Sequence, residues 1–561
     1  MYKLQGSIPS KAIVQPITTS DKFILHKKNV EIPSHINGDY SYTGNSRIEF
    51  DINSPSDFID FQNSYFRCDL TTDLLLEGAD CSSRYLSEGG INALIRECRL
   101  ESQGGVLIDR VQRYNKWYAM MSSILHPKDY VDANLQAAGD SVAIEATGQN
   151  LSSFKIATGS AFVYDDTAGA SEQLMTGTAS DFLNEVKVGD VVVFVDNDGA
   201  SYTGVVSVLT SATTLNVSGV GTTDFTANSM YIVRKDEGVE PARQRIANTD
   251  SSVVSTKLML PFMSDMESYF PLFLVRSGLR LIIELERPEF VLAAPQEVIS
   301  AGYTGASYTI SNANYVASFV KPSEALASQF VNLYKQSGLS FHHVGYEHRM
   351  NVISGNSIGT QNLRLQVNGR SARHLLGFIQ DIRGETVSSA TASAGKSTFT
   401  CDSISQRIKG GLSEYQVEIG SERYPQSSPL DVSSADNAEV LVELEKTLGI
   451  FGLPVPHRWQ PSEWIDAPSP YKEFEQGQTG GRAQASRLIL PANFSRDSSP
   501  WCGVDSTLHS INVMPNIASA YALTDMDGSS NSVESALYFH SFVGLDRVVM
   551  LSEASGLTVL S

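Results

Sequence analysis

Short runs of alternating apolar and polar residues dominate this chain. Ile48, Phe50 and Ile52 alternate with Arg47, Glu49 and Asp51, and Phe66, Cys68 and Leu70 alternate with Arg67 and Asp69. Each run predicts a strand with one buried and one wet face. Leu94, Cys98 and Leu100 share one face opposite Glu97, Arg99 and Glu101, with Arg96 as an exception. Leu279, Leu281, Ile283 and Leu285 follow the same rule before Pro288 ends the run. Half-wet strands of this kind are the habit of antiparallel sheets.

The pattern continues in the second half. Leu363, Leu365 and Val367 form one run, and Tyr415, Val417 and Ile419 another. Three C-terminal strands are expected at Ala536–Val543, Arg547–Leu551 and Leu557–Leu560. Helices are few. A stripe from Leu107 through Val111, Tyr114, Tyr118 and Met121 to Leu125 predicts a helix of about 18 residues. A second, capped by Ser323, carries Leu326, Phe330 and Leu333 and stops at Gly338. A third runs from Asp436 to Leu448, before Gly449. Few helices among many strands make a mainly β plan rather than a βα alternation.

Composition changes near the middle. Between Asp140 and Glu237 the chain is rich in Gly, Ala, Thr and Val and carries 13 acidic against 4 basic residues. Within it, a hairpin is expected around Asp196-Asn197-Asp198-Gly199, and a further strand at Thr213–Gly219. The expected organisation is a first β-unit over residues 1–302, a small acidic β-domain inserted at 138–238, and a second β-unit over 303–561. Two segments, 387–398 and 467–486, read as loops.

The chain has 561 residues, of which 42% are hydrophobic, ample for real cores in three or four units at roughly 100–200 residues each. A net charge of −20, with no basic run longer than Lys27-Lys28, argues against a nucleic-acid coat. The cysteines Cys68, Cys81, Cys98, Cys401 and Cys502 form no CxxC pair and are expected as free thiols. The N-terminal segment shows no continuous apolar stretch of signal-peptide type, and no run is long enough to cross a bilayer as a helix.

Residues that could carry chemistry are sparse. Ala390–Ser397 approximates a phosphate-binding loop, but Ala390 replaces the first glycine and no helix is predicted after it. His342, His343, Glu347 and His348 cluster in sequence, yet along a strand His342 and His348 would stand about 20 Å apart, too far for one metal. Asp505, Ser506 and His509 lack a nucleophile elbow. Glu463 and Asp466, with Trp459 and Trp464, form the most suggestive carboxylate pair for glycoside hydrolysis. No catalytic, cofactor-binding or metal residue is assigned from these patterns.

Residues 47–70, RIEFDINSPSDFIDFQNSYFRCDL, resemble the opening strands of double jelly-roll capsid proteins, with an alternating strand, a Ser/Asp turn and an FID step. Residues 258–291, LMLPFMSDMESYFPLFLVRSGLRLIIELERPEFV, resemble the end of that family's first roll. The lineage includes adenovirus hexons, tailless membrane-containing phages, polinton-like viruses and large DNA viruses. The resemblance implies two consecutive eight-stranded antiparallel jelly rolls and a structural role as a non-enzymatic major capsid protein. It implies homotrimeric, pseudo-hexagonal capsomers in an icosahedral virion, with penton and minor capsid proteins as further partners. Synthesis in the host cytoplasm follows from the same reading. An internal membrane is a further partner in some relatives, and Lys22, Lys27 and Lys28 are the candidates to contact it here. Two other readings stand beside this one: a receptor-binding spike or minor capsid protein with the insert as its head, and a carbohydrate-active β-sandwich enzyme.

Overall fold

The computed structural model describes most of residues 24–125, 252–381, 407–449 and 485–560, together with the strands between 154 and 233. Eight strands build the first unit. They are β1 (Ile24–Pro33), β2 (Arg47–Ile52), β3 (Phe58–Leu76), β4 (Ile95–Ser102) and β5 (Leu107–Gln112), then, after a long excursion, β13 (Ser252–Thr256), β14 (Leu279–Leu285) and β15 (Tyr303–Pro322). One sheet has the order β1-β15-β3-β13 and the other β2-β14-β4-β5. Numbered within the unit, these are strands 1-8-3-6 facing strands 2-7-4-5, all antiparallel, which is the jelly-roll connectivity.

The second unit repeats it. Its strands are β16 (Leu339–Ile353), β17 (Leu363–Leu365), β18 (Ala372–Asp381), β19 (Leu412–Ile419), β20 (Glu422–Tyr424), β21 (Leu490–Asn493), β22 (Ile511–Ile517) and β23 (Leu537–Ser552). The sheet orders β16-β23-β18-β21 and β17-β22-β19-β20 are again 1-8-3-6 and 2-7-4-5. A last strand, β24 (Gly556–Leu560), folds back on β23. The chain is therefore mainly β, a double jelly roll. The expected junction at 302/303 falls at the head of β15, whose pairing with β1 and β3 puts Tyr303–Pro322 in the first roll.

Alternation sets the faces as expected. In β2 the apolar Ile48, Phe50 and Ile52 are fully buried, while the wet face of that sheet is laced by charge pairs. There Arg280 Nε meets Asp51 at 2.9 Å and Arg110 grips Glu97 with two bonds of 2.8 and 2.7 Å. Arg96, the exception in the β4 pattern, is the extra residue of a bulge: Leu285 pairs with Ile95 and Glu284 with Glu97.

Two elements differ from expectation. The stripe starting at Leu107 is a strand up to Gln112, and helix α1 occupies only Tyr114–Leu125. Leu107 and Val111 fit either period, but Asp109 is buried and the segment pairs with β4; Arg113, at φ 52°, breaks the two apart. At the C-terminus, two expected strands are the single 16-residue β23. Gly544 passes through without a turn because it lies against the His374 ring, where a Cβ would come within 2.6 Å of Nε2.

The other helices follow the sequence signals. In α3 (Glu324–Gln336) the Ser323 hydroxyl accepts from the Leu326 N–H, and Gly338 leaves the helix at φ 74°. Helix α4 (Glu439–Leu448) ends at Gly449, φ 69°. Between β5 and β13, seven strands run from β6 (Phe154–Ile156), β7 (Ser160–Asp165) and β8 (Gln173–Thr178) through β9 (Val191–Asp196), β10 (Ser201–Leu209) and β11 (Thr214–Ser218) to β12 (Phe225–Val233). The order β9-β10-β11-β8-β7-β12 closes on itself through a β12–β9 pairing, making a small barrel. Its core, including Phe162, Tyr164, Phe182 and Phe194, is separate from that of the rolls.

Gly544→Ala is expected to lower stability by about 1–3 kcal/mol through overpacking against His374. Gly38→Ala, with nothing within 4 Å, is the control and should be near neutral. Thermal unfolding of the two variants checks this.

Candidate functional site

The chemistry-bearing residues gather where the rolls meet. A single apolar core runs without interruption from Tyr40 in the first roll to Leu551 in the second. Aromatic contacts carry it across: Phe270 lies 5.2 Å from Phe341 and Trp117 5.5 Å from Tyr346, centroid to centroid. Three elements of the first roll make this seam. They are β5, helix α1, and the short helix α2 (Pro261–Asp265), which follows β13 and begins at a proline suited to that position. All three pack toward β16, the first strand of the second roll, and its neighbours.

Polar groups are set into this apolar seam. Asp109 on β5 is fully buried; its Oδ2 accepts from the Phe262 N–H at 2.9 Å, and Oδ1 lies 3.5 Å from Arg547 Nη1 and 3.8 Å from His343 Nε2. Burial pushes the Asp109 carboxyl up, but His343, Arg547 and the Phe262 N–H outweigh it and hold it below the usual carboxylate range. For His343, burial outweighs the pull of Asp109, so its pKa falls and the ring is neutral at pH 7. That ring stands edge-on to Phe262 at 5.2 Å. Lys116, on α1, is also buried and donates to the Gln380 side chain of β18 at 2.6 Å.

A second buried carboxylate lies deeper in the second roll. Asp546 accepts from His342 Nε2 at 2.8 Å, from the Ser371 hydroxyl, and from the Trp501 N–H at 3.0 Å, with Arg373 at 3.5 Å. Burial opposes its ionisation, yet these partners hold its pKa low. Unlike the other two, His348 lies against His540, ring nitrogens 3.0 Å apart. The sequence cluster of histidines is thus split among three separate partners, Asp546 and His540 on β23 and Asp109 on β5. No group of metal-ligating side chains able to hold an ion occurs among the described residues.

The other sequence candidates do not assemble. Asp505 accepts from the Thr507 hydroxyl and N–H, and Ser506 is turned to Gly369, exchanging hydrogen bonds of 3.0 Å with its backbone. His509 lies over Gly420. Asp505 and His509 do line one groove of about 500 Å³ with Trp501 and Leu508, but the serine hydroxyl is committed elsewhere. Lys28 pairs with Asp57 at 3.1 Å and Lys27 with Asp60 at 3.8 Å, both carboxylates nearly buried. Cys68 and Cys98 are buried free thiols, and Cys502 is half-buried. Lys22, Cys81, Cys401, Ala390–Ser397, Trp459, Glu463, Trp464 and Asp466 lie outside the described residues, as does nearly all of the two expected loops. No helix among the described residues is long and apolar enough to cross a membrane.

Strand order and seam together define a double jelly-roll protein whose two rolls share one core. No protein-family model and no curated protein matches the sequence. Among solved structures, the chain is similar to the capsid of the virus PBCV-1, at 10% identity and TM-score 0.49 over 97% of this chain and 99% of that one. It is similar to a chain of the Sputnik virophage, at 10% identity and TM-score 0.49 over 97% and 90%. The mavirus major capsid protein gives 10% identity and TM-score 0.43 over 98% and 93%.

Asp109→Ala should cost about 3 kcal/mol, because it leaves the buried Phe262 N–H without its acceptor and Arg547 with Glu347 alone, at 3.7 Å; denaturant unfolding measures it. Burial also lowers the pKa of His348 to about 3 and of His374 to about 4, and pulls His540 down as well. These rings stay neutral in the fold while the unfolded chain takes up protons below about pH 6.5. The stability they contribute is therefore present above that value and is lost as pH falls toward 4, so Tm should drop between pH 7 and pH 5.

Proposed function

We propose that this chain is a major capsid protein, a structural component of an icosahedral virion that works by tiling and not by catalysis. The observation that carries this reading is the duplication itself: two rolls of the same 1-8-3-6 and 2-7-4-5 order, set on one continuous core within one chain. A rigid two-lobed block has a simple use in symmetric assembly. Three copies around a closed threefold axis present six similar lobes, a near-hexagonal outline that packs a surface without gaps. The partners of such a block are first its own copies and then neighbouring capsomers, with penton and minor capsid proteins at special positions of the shell.

Several features support it. The charge-laced wet face of β2, β14, β4 and β5 suits a molecule with a hydrated surface. The barrel, with a separate core and inserted between the fifth and sixth strands of the first roll, suits a projecting tower that can vary without disturbing the block.

Native mass measurement tests the assembly. Three chains of 61.0 kDa give a particle of about 183 kDa, and this species should dominate at micromolar concentration. A stable monomer of 61.0 kDa, with no larger closed species in assembled material, would count against the proposal.

A further inference from the structure

The groove of about 500 Å³ in the second roll lies between the β19–β20 turn and the loop that leads into β22. That loop is firmly anchored. The Trp501 N–H donates to Asp546 at 3.0 Å, the Gly503 N–H to the Ser371 hydroxyl at 3.0 Å, and Val504 exchanges backbone bonds with Ala372. A Cβ at position 503 would come within 2.3 Å of the Ala372 carbonyl oxygen, so only glycine allows this approach. The anchoring holds Trp501 at φ 64°, a region unfavourable for a residue with a side chain. Yet its indole is 41% exposed, and Leu508, which lines the same groove, is 75% exposed. A strained backbone that holds large apolar side chains in water marks a surface that a partner covers.

The lining is acidic as well as apolar. Glu422 and Asp505 supply its charge, alongside His509 and without any lysine or arginine. Their hydrogen bonds come from neutral groups, the Tyr424 hydroxyl for Glu422 and the Thr507 hydroxyl and N–H for Asp505. Of the cations nearby, Arg423 pairs with Glu418 at 3.2 Å and Arg370 acts on Asp505.

Strand sense decides what can reach this groove. Successive strands of a roll run in opposite directions, so the 2–3, 4–5 and 6–7 connections gather at one end. In the second roll that end holds the groove, where Ser506 is tied to Gly369 of the 2–3 connection. In the first roll β1 begins at the same kind of end: Ile24 pairs with Pro322, and Val320 pairs with Phe58, which opens β3. Helix α3, which leads from Pro322 to β16, spans about 20 Å, much less than the length of β16, about 50 Å. Both short-turn ends therefore lie on one side of the molecule, and the barrel hangs from the other. Residues 1–23 join β1 on the groove's side. Their path is about 20 Å along α3 and about 20 Å across the second roll, whereas a segment of that length reaches about 75 Å. The segment also complements the lining. In a chain of 62 acidic and 42 basic residues, it carries Lys3, Lys11 and Lys22 against Asp21 alone, among Leu4, Ile8, Ile13, Val14 and Ile17.

We propose that residues 1–23 dock in the groove of their own chain, with apolar side chains against Trp501 and Leu508 and a lysine beside Glu422 and Asp505. The segment then straps the second roll to the first at the end remote from the barrel. The segment of a neighbouring copy would meet the same surface, but without the high effective concentration that the tether supplies.

Photo-crosslinking of the full chain tests this. A benzoylphenylalanine in place of Leu508 is irradiated, and the product is read on a denaturing gel and by peptide mapping. The expected adduct joins position 508 to residues 1–23 and runs at the 61.0 kDa of one chain. In Trp501→Gly, where glycine accepts the φ of 64°, Tm should hold and the adduct should fall about tenfold. An adduct at twice the mass of one chain would make a neighbouring copy the occupant and overturn the proposal. So would an adduct to any other segment, no adduct at all, or an undiminished yield in Trp501→Gly. If Trp501→Gly does not fold, Lys3→Glu, Lys11→Glu and Lys22→Glu combined decide. A similar loss of adduct there supports the docking, and an unchanged yield overturns it.

Discussion

The shared core across β5, α1, α2 and β16 is the constraint on which the rest of the molecule depends. Two jelly rolls joined only by a linker would turn freely, since a connection alone sets no angle between them. Here the aromatic pairs Phe270–Phe341 and Trp117–Tyr346 continue each roll's interior into the other. The buried ion pairs around Asp109 add little net stability, because desolvation offsets most of their attraction. What they add is register: Asp109 of the first roll meets Arg547 of the second at 3.5 Å, a contact that depends on how the rolls are set against each other. A fixed angle is what a building block requires, so the seam links packing to the proposed function more directly than any groove on the surface.

The same logic sets the barrel apart from the rolls. The barrel of β6 to β12 closes its own hydrogen bonds and buries its own Phe162, Phe182 and Phe194, so the rolls gain nothing from its contents. A closed barrel also leaves no free edge among the strands that close it. Its acidity fits a solvated position away from the seam.

Much of the fold was legible because alternation is a local signal. Ile48-Phe50-Ile52 and Leu279-Leu281-Ile283 announce their buried faces without any knowledge of partners. Even Arg96, out of phase, marked the bulge that accommodates it. Errors arose where a local pattern was ambiguous. Leu107 and Val111 suit a helix or a strand, and the break expected between Val543 and Arg547 is absent because β23 pairs with β16 straight through it. The seam was not legible at all. Asp109 and Arg547 are 438 positions apart, and only the packing of one roll on the other brings them together. The histidines were visible as a cluster, but strand alternation sends His342 to Asp546 and His343 to Asp109.

Scanning calorimetry of the full chain tests the unity of the two rolls most directly. A continuous core makes them one cooperative unit, so the account predicts one large transition for both rolls together and a separate small one for the barrel. Two large transitions of comparable enthalpy, each assignable to one roll, would mean that the rolls are independent and would contradict it.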